Sequence, residues 1–344
     1  MQRKADSTAG TNETEDRRKA PRSRRRSPRF AGGMSFGVAA LLALLGACEQ
    51  VETNRGTVIE RTRVLGAHIA VEGAPLRSTP RPGETARVTW LVTAPDKTPP
   101  LGWVFVLCAP AAAGQGDDCD GAPLAVFQGQ PEPGAELPAF NVTVPARDKL
   151  GATRALSIIG LVCAASQPQL TPGQPPSCTR GADGTSAFVS LPLEIDGDSN
   201  ANPSLDSSPL WIDGQPWAGL APGSEPACAE LPQISAGSKD HVLRLATAPG
   251  DREPYMAMQG DPPRPVAMRE SLQISQFSTA GKLERPFSTV EATVSDDNTA
   301  IEVKWEAPAK ELVPSGGLVV RFTFVARDLR GGTAWTGRSL CVVP

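Results

Sequence analysis

The stretch DGDSNAN, residues 196–202, sets Asp196, Asp198, Asn200 and Asn202 at alternate positions. That spacing lets a loop turn several side-chain oxygens onto one hard cation such as calcium. The EF-hand template is not met. Its sixth position is Ala201, where a glycine makes the sharp turn, and its twelfth is Ser207, where a glutamate would chelate. The same composition suits a solvated linker between domains, and that reading is preferred. Calcium here is the one cofactor candidate; otherwise none is expected. Asp117, Asp118 and Asp120 around Cys119 form a second acidic loop, read as plain exposure.

Six tryptophans stand against one tyrosine. Trp90, Trp103 and Trp305 fit as core residues of strands, Trp90 and Trp305 in alternating runs and Trp103 in the nearly all-apolar GWVFVLC. Trp211, Trp217 and Trp335 could be exposed, and flat exposed rings stack on sugars. Catalytic chemistry has little to work with. There are 2 histidines, His68 and His241, far apart in sequence and each within a predicted strand. No G-x-S-x-G elbow, H-E-x-x-H pair or phosphate-binding glycine loop occurs, and Thr279-Ala280-Gly281-Lys282 lacks the companions of an S-x-x-K site. The chain is expected not to be an enzyme.

Charge is divided unevenly. Residues before Cys48 carry ten Lys/Arg against four Asp/Glu, and the remainder is net acidic. An acidic body repels phosphate, so nucleic acid is excluded as a partner. Arginines 22, 24, 25, 26 and 29 crowd before the run MSFGVAALLALLGAC. That run is too short to span a bilayer, which takes roughly 20 residues. Its order of basic, apolar and small residues is that of an export signal.

The ending Leu45-Gly46-Ala47-Cys48 resembles the lipobox of bacterial lipoprotein signal peptides. The resemblance covers the leader alone. It implies that the Cys48 thiol receives a diacylglyceryl lipid, that the leader is removed before it, and that the membrane is a partner through this anchor. Glu49 is not the aspartate associated with inner-membrane retention, so the resemblance places the protein in the bacterial envelope, at the outer membrane before the inner. Six cysteines then remain of 7. Sequence order suggests Cys108–Cys119, Cys163–Cys178 and Cys228–Cys341, among the roughly 15 pairings that six cysteines allow. No Cys/His cluster has zinc spacing.

These features must be carried by strands. ARVTWLV, GWVFVLC, FNVTVP, LSIIGLVC and AFVSLPLEI lie between Pro/Gly turns in one half; HVLRLATA, SLQISQFS, AIEVKWEAP, LVVRFTFVARD and TAWTGRSLCVV lie in the other. In AIEVKWE, Ile301, Val303 and Trp305 alternate with charge, the pattern of a strand buried on one face. Asp328 to Gly332 reads as the hairpin turn before the last strand. RVLGAHIAVEG, then RPGETARVTWLV, then a Trp-bearing strand resembles the opening of immunoglobulin-like modules of bacterial surface proteins. Cys108 at the end of the Trp103 strand departs from antibody-type pairing.

The expected organisation is all-β: a disordered basic leader (1–33), a signal-peptide apolar run (34–47), a tether (48–60), an Ig-like β-sandwich (61–195), a linker (196–204) and a second β-sandwich (205–344). The expected function is a non-catalytic binding or structural role for a lipid-anchored envelope protein, facing the periplasm or the cell surface, with a protein or glycan ligand that the sequence does not identify. A glycan- or peptidoglycan-binding lipoprotein is the first alternative, and a hydrolase with an unrecognised site the second.

Overall fold

Alternation of apolar with polar residues, broken by Pro/Gly turns, makes strands along both halves of the chain. The computed structural model describes residues 56–111, 119–130, 137–171, 176–179, 186–195, 199–205, 208–219, 226–293 and 299–344. The leader, the apolar run, Cys48, Asp196 and Asp198 lie outside the described residues. The chain divides into units Met1–Val51 and Glu52–Pro344, and everything below belongs to the second. No helix among the described residues is long and apolar enough to cross a membrane.

The first sandwich is built from β1 (Arg63–Val71), β2 (Thr85–Thr93), β3 (Leu101–Pro110), β4 (Cys119–Gly129), β5 (Ala139–Thr143), β6 (Ala155–Ala164), a small ribbon of β7 (Pro168–Gln169) with β8 (Ser177–Cys178), and β9 (Ser186–Glu194). Its sheets have the orders β1-β2-β5 and β4-β3-β6-β9. In β2, Ala86, Val88, Trp90 and Val92 point inward while Arg87 is exposed. Trp90 stacks on Phe105 with ring centroids 4.8 Å apart. Gly160 in β6 gives Phe105 room, because a Cβ there would stand 2.2 Å from its ring.

The second sandwich comprises β10 (Leu210–Ile212), β11 (Gln215–Pro216), β12 (Gln233–Ser235), β13 (His241–Ala246), β14 (Pro254–Gln259), β15 (Arg264–Arg269), β16 (Leu272–Ser278), β17 (Lys282–Leu283), β18 (Phe287–Val290), β19 (Ala300–Glu306), β20 (Leu318–Arg327) and β21 (Thr333–Val343). Its sheets run β11-β10-β13-β19-β17 and β12-β21-β20-β16-β18, while β14 and β15 form a separate hairpin. Trp305, Phe322, Phe324, Leu243 and Leu340 fill the core between the sheets, each contributing about 1.5–3 kcal/mol by leaving water.

The wiring repeats although the sequence does not. In both sandwiches the first, second and fifth principal strands make one sheet (β1-β2-β5; β10-β13-β19), and the others make the second (β4-β3-β6-β9; β18-β16-β20-β21). Disulfides join Cys108 to Cys119, Cys163 to Cys178 and Cys228 to Cys341, the pairs that sequence order suggests. Closing a loop of the Cys163–Cys178 size stabilises by about 3 kcal/mol in the chain-entropy picture.

The two sandwiches touch through outer sheet faces. Leu91, on the opposite side of β2 from Trp90 and Val92, meets Val325 together with Leu65 and Ile59; Phe277 and Trp335 complete this patch. Leu65 is the extra residue of a β-bulge between Val64 and Gly66, a device that re-aims a side chain. Arg321 Nη1 donates to Asp96 O at 3.0 Å and to Pro95 O at 3.2 Å, and Arg327 Nη2 donates to Leu65 O.

Two expectations are corrected here. The linker is not solvated over its described part, for Asn200 and Asn202 are buried. Asn200 Nδ2 donates to Asp328 Oδ2 at 2.8 Å and to Ser78 Oγ at 2.9 Å. Asn202 Nδ2 donates to Ile69 O at 2.7 Å, and its Oδ1 accepts from Thr333 N at 3.0 Å. Short amides bury readily when their polar ends find partners, as both do in Asn202 and the Nδ2 end does in Asn200, and these bonds join the sandwiches. The tether is also shorter than 48–60. Thr57 and Ile59 are buried, with Ile59 N donating to Ser278 O at 2.8 Å and Ser278 N to Thr57 O at 3.0 Å. The segment thus forms a single parallel β-bridge, Val58 to Ser278, beside β16.

Gly332 marks the tightest point of the junction, since a Cβ there would lie 1.9 Å from Asp328 Oδ2 and 2.7 Å from Ala201 O. Gly332→Ala should lower stability by about 1–3 kcal/mol, whereas Gly316→Ala, with nothing within 4 Å, should be nearly neutral. Chemical denaturation of both variants checks this.

Candidate functional site

The three tryptophans proposed as a binding platform are dispersed. Trp217 is buried, donates from Nε1 to Ser339 O at 2.9 Å, and packs edge-on to Phe322. Trp335 lies in the patch between the sandwiches, edge-on to His68 at 5.9 Å. Trp211 alone faces a surface groove, of about 640 Å³, with Arg244 4.8 Å over its ring and Arg285, Val242, Ala300 and Glu302 alongside. Trp211 and Trp335 belong to different sheets, so no pair of these rings shares a groove.

Of the calcium candidates, Asn200 and Asn202 are committed to the junction, with Asn202 Oδ1 already accepting from Thr333 N. Asn200 Oδ1 is enclosed without a hydrogen-bond partner. Among the described residues, no group of three His, Cys, Asp or Glu could hold a metal ion.

His241 occupies the most chemically suggestive place. Asp213 and Gly214 form the two-residue turn between β10 and β11, with φ of 49° and 76°, the left-handed pair of a type I′ hairpin. That turn puts Asp213 Oδ2 2.7 Å from His241 Nδ1, while Val242 N donates to Oδ1 at 2.8 Å. On the other side, His241 Nε2 lies 2.7 Å from Ser238 Oγ. Serine, imidazole and carboxylate thus stand in the order of a nucleophilic triad. Sequence reading missed the cluster because Asp213 is 28 residues from His241 and no motif links them.

The surroundings make this a fastening. Ser238 Oγ also stands 2.5 Å from Ser235 O, an acceptor that competes with the imidazole for its hydrogen. The amides that would bind an oxyanion are taken: Gly237 N donates to Pro308 O at 2.8 Å and Ser238 N to Ser235 O at 3.3 Å. A triad needs a hydroxyl the base can reach and free donors for developing charge. The cluster instead holds the turn before β13 to the β10–β11 hairpin. His241→Ala should cost about 1–2 kcal/mol in denaturation, and Ser238→Ala should leave p-nitrophenyl acetate hydrolysis unchanged. A rate abolished by Ser238→Ala would reinstate catalysis.

A second cluster lies at the junction. Glu270 and Asp328 are both 2% exposed. Arg330 Nη1 donates to Glu270 Oε1 at 2.7 Å, and Glu253 N to Oε2 at 3.1 Å. Asp328 Oδ1 accepts from Arg330 N and Gly332 N at 2.7 and 2.9 Å. Burial, then the Asp328 charge, outweigh Arg330 and push the Glu270 pKa up to about 7. Burial likewise raises Asp328 against three hydrogen bonds to its carboxylate. Ala201 N donates to Glu253 Oε2 at 2.8 Å, so the linker is part of the same cluster.

The sign follows from linkage. A carboxyl whose folded pKa exceeds its unfolded value contributes stability below the unfolded value and loses it as pH rises through the folded one. For Glu270 that window runs from about 4.5 to about 7. The protein should lose on the order of 2 kcal/mol across it, and Glu270→Gln should flatten the loss. Denaturation midpoints at pH 5 and pH 8, on both proteins, check the difference.

No protein-family model matches the sequence, and no curated protein matches it.

Proposed function

We propose that this is a lipid-anchored protein of the bacterial envelope whose paired sandwiches serve a non-catalytic binding or structural role. The observation that carries the reading is the ordered run of basic, apolar and small residues ending at Leu45-Gly46-Ala47-Cys48. The disulfides support it, because structural disulfides persist in oxidising compartments such as the periplasm. Gly56 is the first described residue, and the eight residues after Cys48 reach at most about 28 Å when extended. A lipid on Cys48 would therefore keep the folded body close to the bilayer, at the outer membrane by the sorting argument from Glu49. The glycan-binding alternative is weakened by the burial of Trp217 and the place of Trp335 between the sandwiches. The hydrolase alternative is weakened by the engaged hydroxyl of Ser238.

The test is detergent phase partition. Wild-type protein should enter the detergent phase, and Cys48→Ser should move to the aqueous phase. Unchanged partition of Cys48→Ser would overturn the anchor.

A further inference from the structure

The repeated wiring exposes one difference. In the second sandwich the last strand, β21, has a further neighbour: β12 lies parallel to it, pairing Gln233 with Cys341, Ile234 with Val342 and Ser235 with Val343. Among the described residues, the corresponding last strand of the first sandwich, β9, pairs only with β6, and β1 only with β2. Among the described residues β9 therefore presents a free edge, whereas the outer edge of β1 is partly taken, with Leu65 O and Ile69 O accepting from Arg327 and Asn202.

A groove of about 480 Å³ lies where those edges face each other. Val64, Leu65, Gly66 and Ala67 border one side, and Val189, Ser190, Leu191 and Pro192 the other. Successive side chains of a strand point to opposite faces, so four consecutive residues can border one groove only if the strand turns its edge to it. Apolar side chains dominate the walls, as they do where a strand is missing from between two sheets.

Two polar groups in the groove lack what they need. Trp90 is 3% exposed, lines the groove, and its Nε1–H has no acceptor. A buried donor left so costs about 1–3 kcal/mol. Arg327 also lines the groove. Its guanidinium donates to Ser275 Oγ and Leu65 O, but no carboxylate among the described residues pairs with it. Burial draws its pKa below the usual arginine value.

We infer that the first sandwich binds, along the free edge of β9, an extended peptide segment of a partner protein that pairs with that edge and carries a carboxylate for Arg327. The segment takes the place that β12 fills in the second sandwich, and its apolar side chains enter the groove beside Trp90. Main-chain pairing supplies affinity in this mode, and the groove with Arg327 supplies selectivity. Pro192 has no N–H, which bounds the pairing at that end of β9. The inference deepens the binding role proposed above but uses nothing of the lipid anchor, so the partition experiment and the one below fail independently.

The probes are acetylated heptapeptides of alternating valine and threonine, with one threonine replaced by aspartate at each position in turn, and asparagine twins of each. The readout is the indole N–H resonance of Trp90 in the full chain, assigned by its loss in Trp90→Phe. One aspartate peptide should shift that resonance and bind about tenfold tighter than its asparagine twin, the size of one hydrogen bond to a charged group. Arg327→Gln should erase the tenfold preference. Leu329→Asp, at a groove residue that is 68% exposed and hence neutral for folding, should weaken the aspartate peptide by repulsion. A resonance unmoved by every peptide at millimolar concentration overturns the inference. So does an equal shift from a peptide interrupted by a central proline, which cannot pair.

Discussion

A buried carboxylate is tolerated only when its oxygens are filled, and the filling of Asp328 organises the junction. Its partners come from its own turn, through Arg330 N and Gly332 N, and from the linker, through Asn200 Nδ2. Once that turn is fixed, Thr333 N meets Asn202, Arg327 reaches Leu65 O, and Val325 is held against Leu65 and Leu91. The polar centre sets the geometry; the apolar patch beside it supplies favourable burial. Gly332 is the steric condition for both, because only the absence of a Cβ lets the turn close over Asp328 and Ala201.

The paired sandwiches are thus one body with a shared seam. They have the same strand wiring and opposite solutions to the problem of free edges. The second covers its last strand with β12; the first, among the described residues, leaves β9 open and ends the exposure with Pro192. Near the junction the free edge of β1 is covered by a side chain of the other sandwich, where Leu65 O accepts from Arg327.

The sequence was most legible where one strand face is wet and the other dry. The alternation of AIEVKWE and ARVTWLV corresponds to β19 and β2, and the last strand is TAWTGRSLCVV, Thr333–Val343. Cysteine order was informative because each bridge joins elements near in sequence or at the ends of one sandwich. The misreadings share a cause. Composition cannot separate a polar residue that faces water from one whose partners are distant in sequence, and Asn200 meets Asp328 across 128 positions. The hairpin of β14 and β15 escaped notice because PYMAMQ and RPVAMR, each with four exposed residues and no buried one, carry no clean inside-outside pattern. The Asp213–His241–Ser238 cluster was invisible for the same long-range reason as the repeated wiring, which exists only as pairing.

None of the three disulfides crosses from one sandwich to the other, while the N-terminal segment is pinned to the second sandwich before the chain enters the first. Ile59 and Thr57 hold Ser278 by two backbone hydrogen bonds in a parallel arrangement. Tension applied from the N-terminal side along that segment would load both bonds together, in shear, and pass into β16 before it reached β1. The first sandwich, although earlier in the chain, is mechanically sheltered by the second.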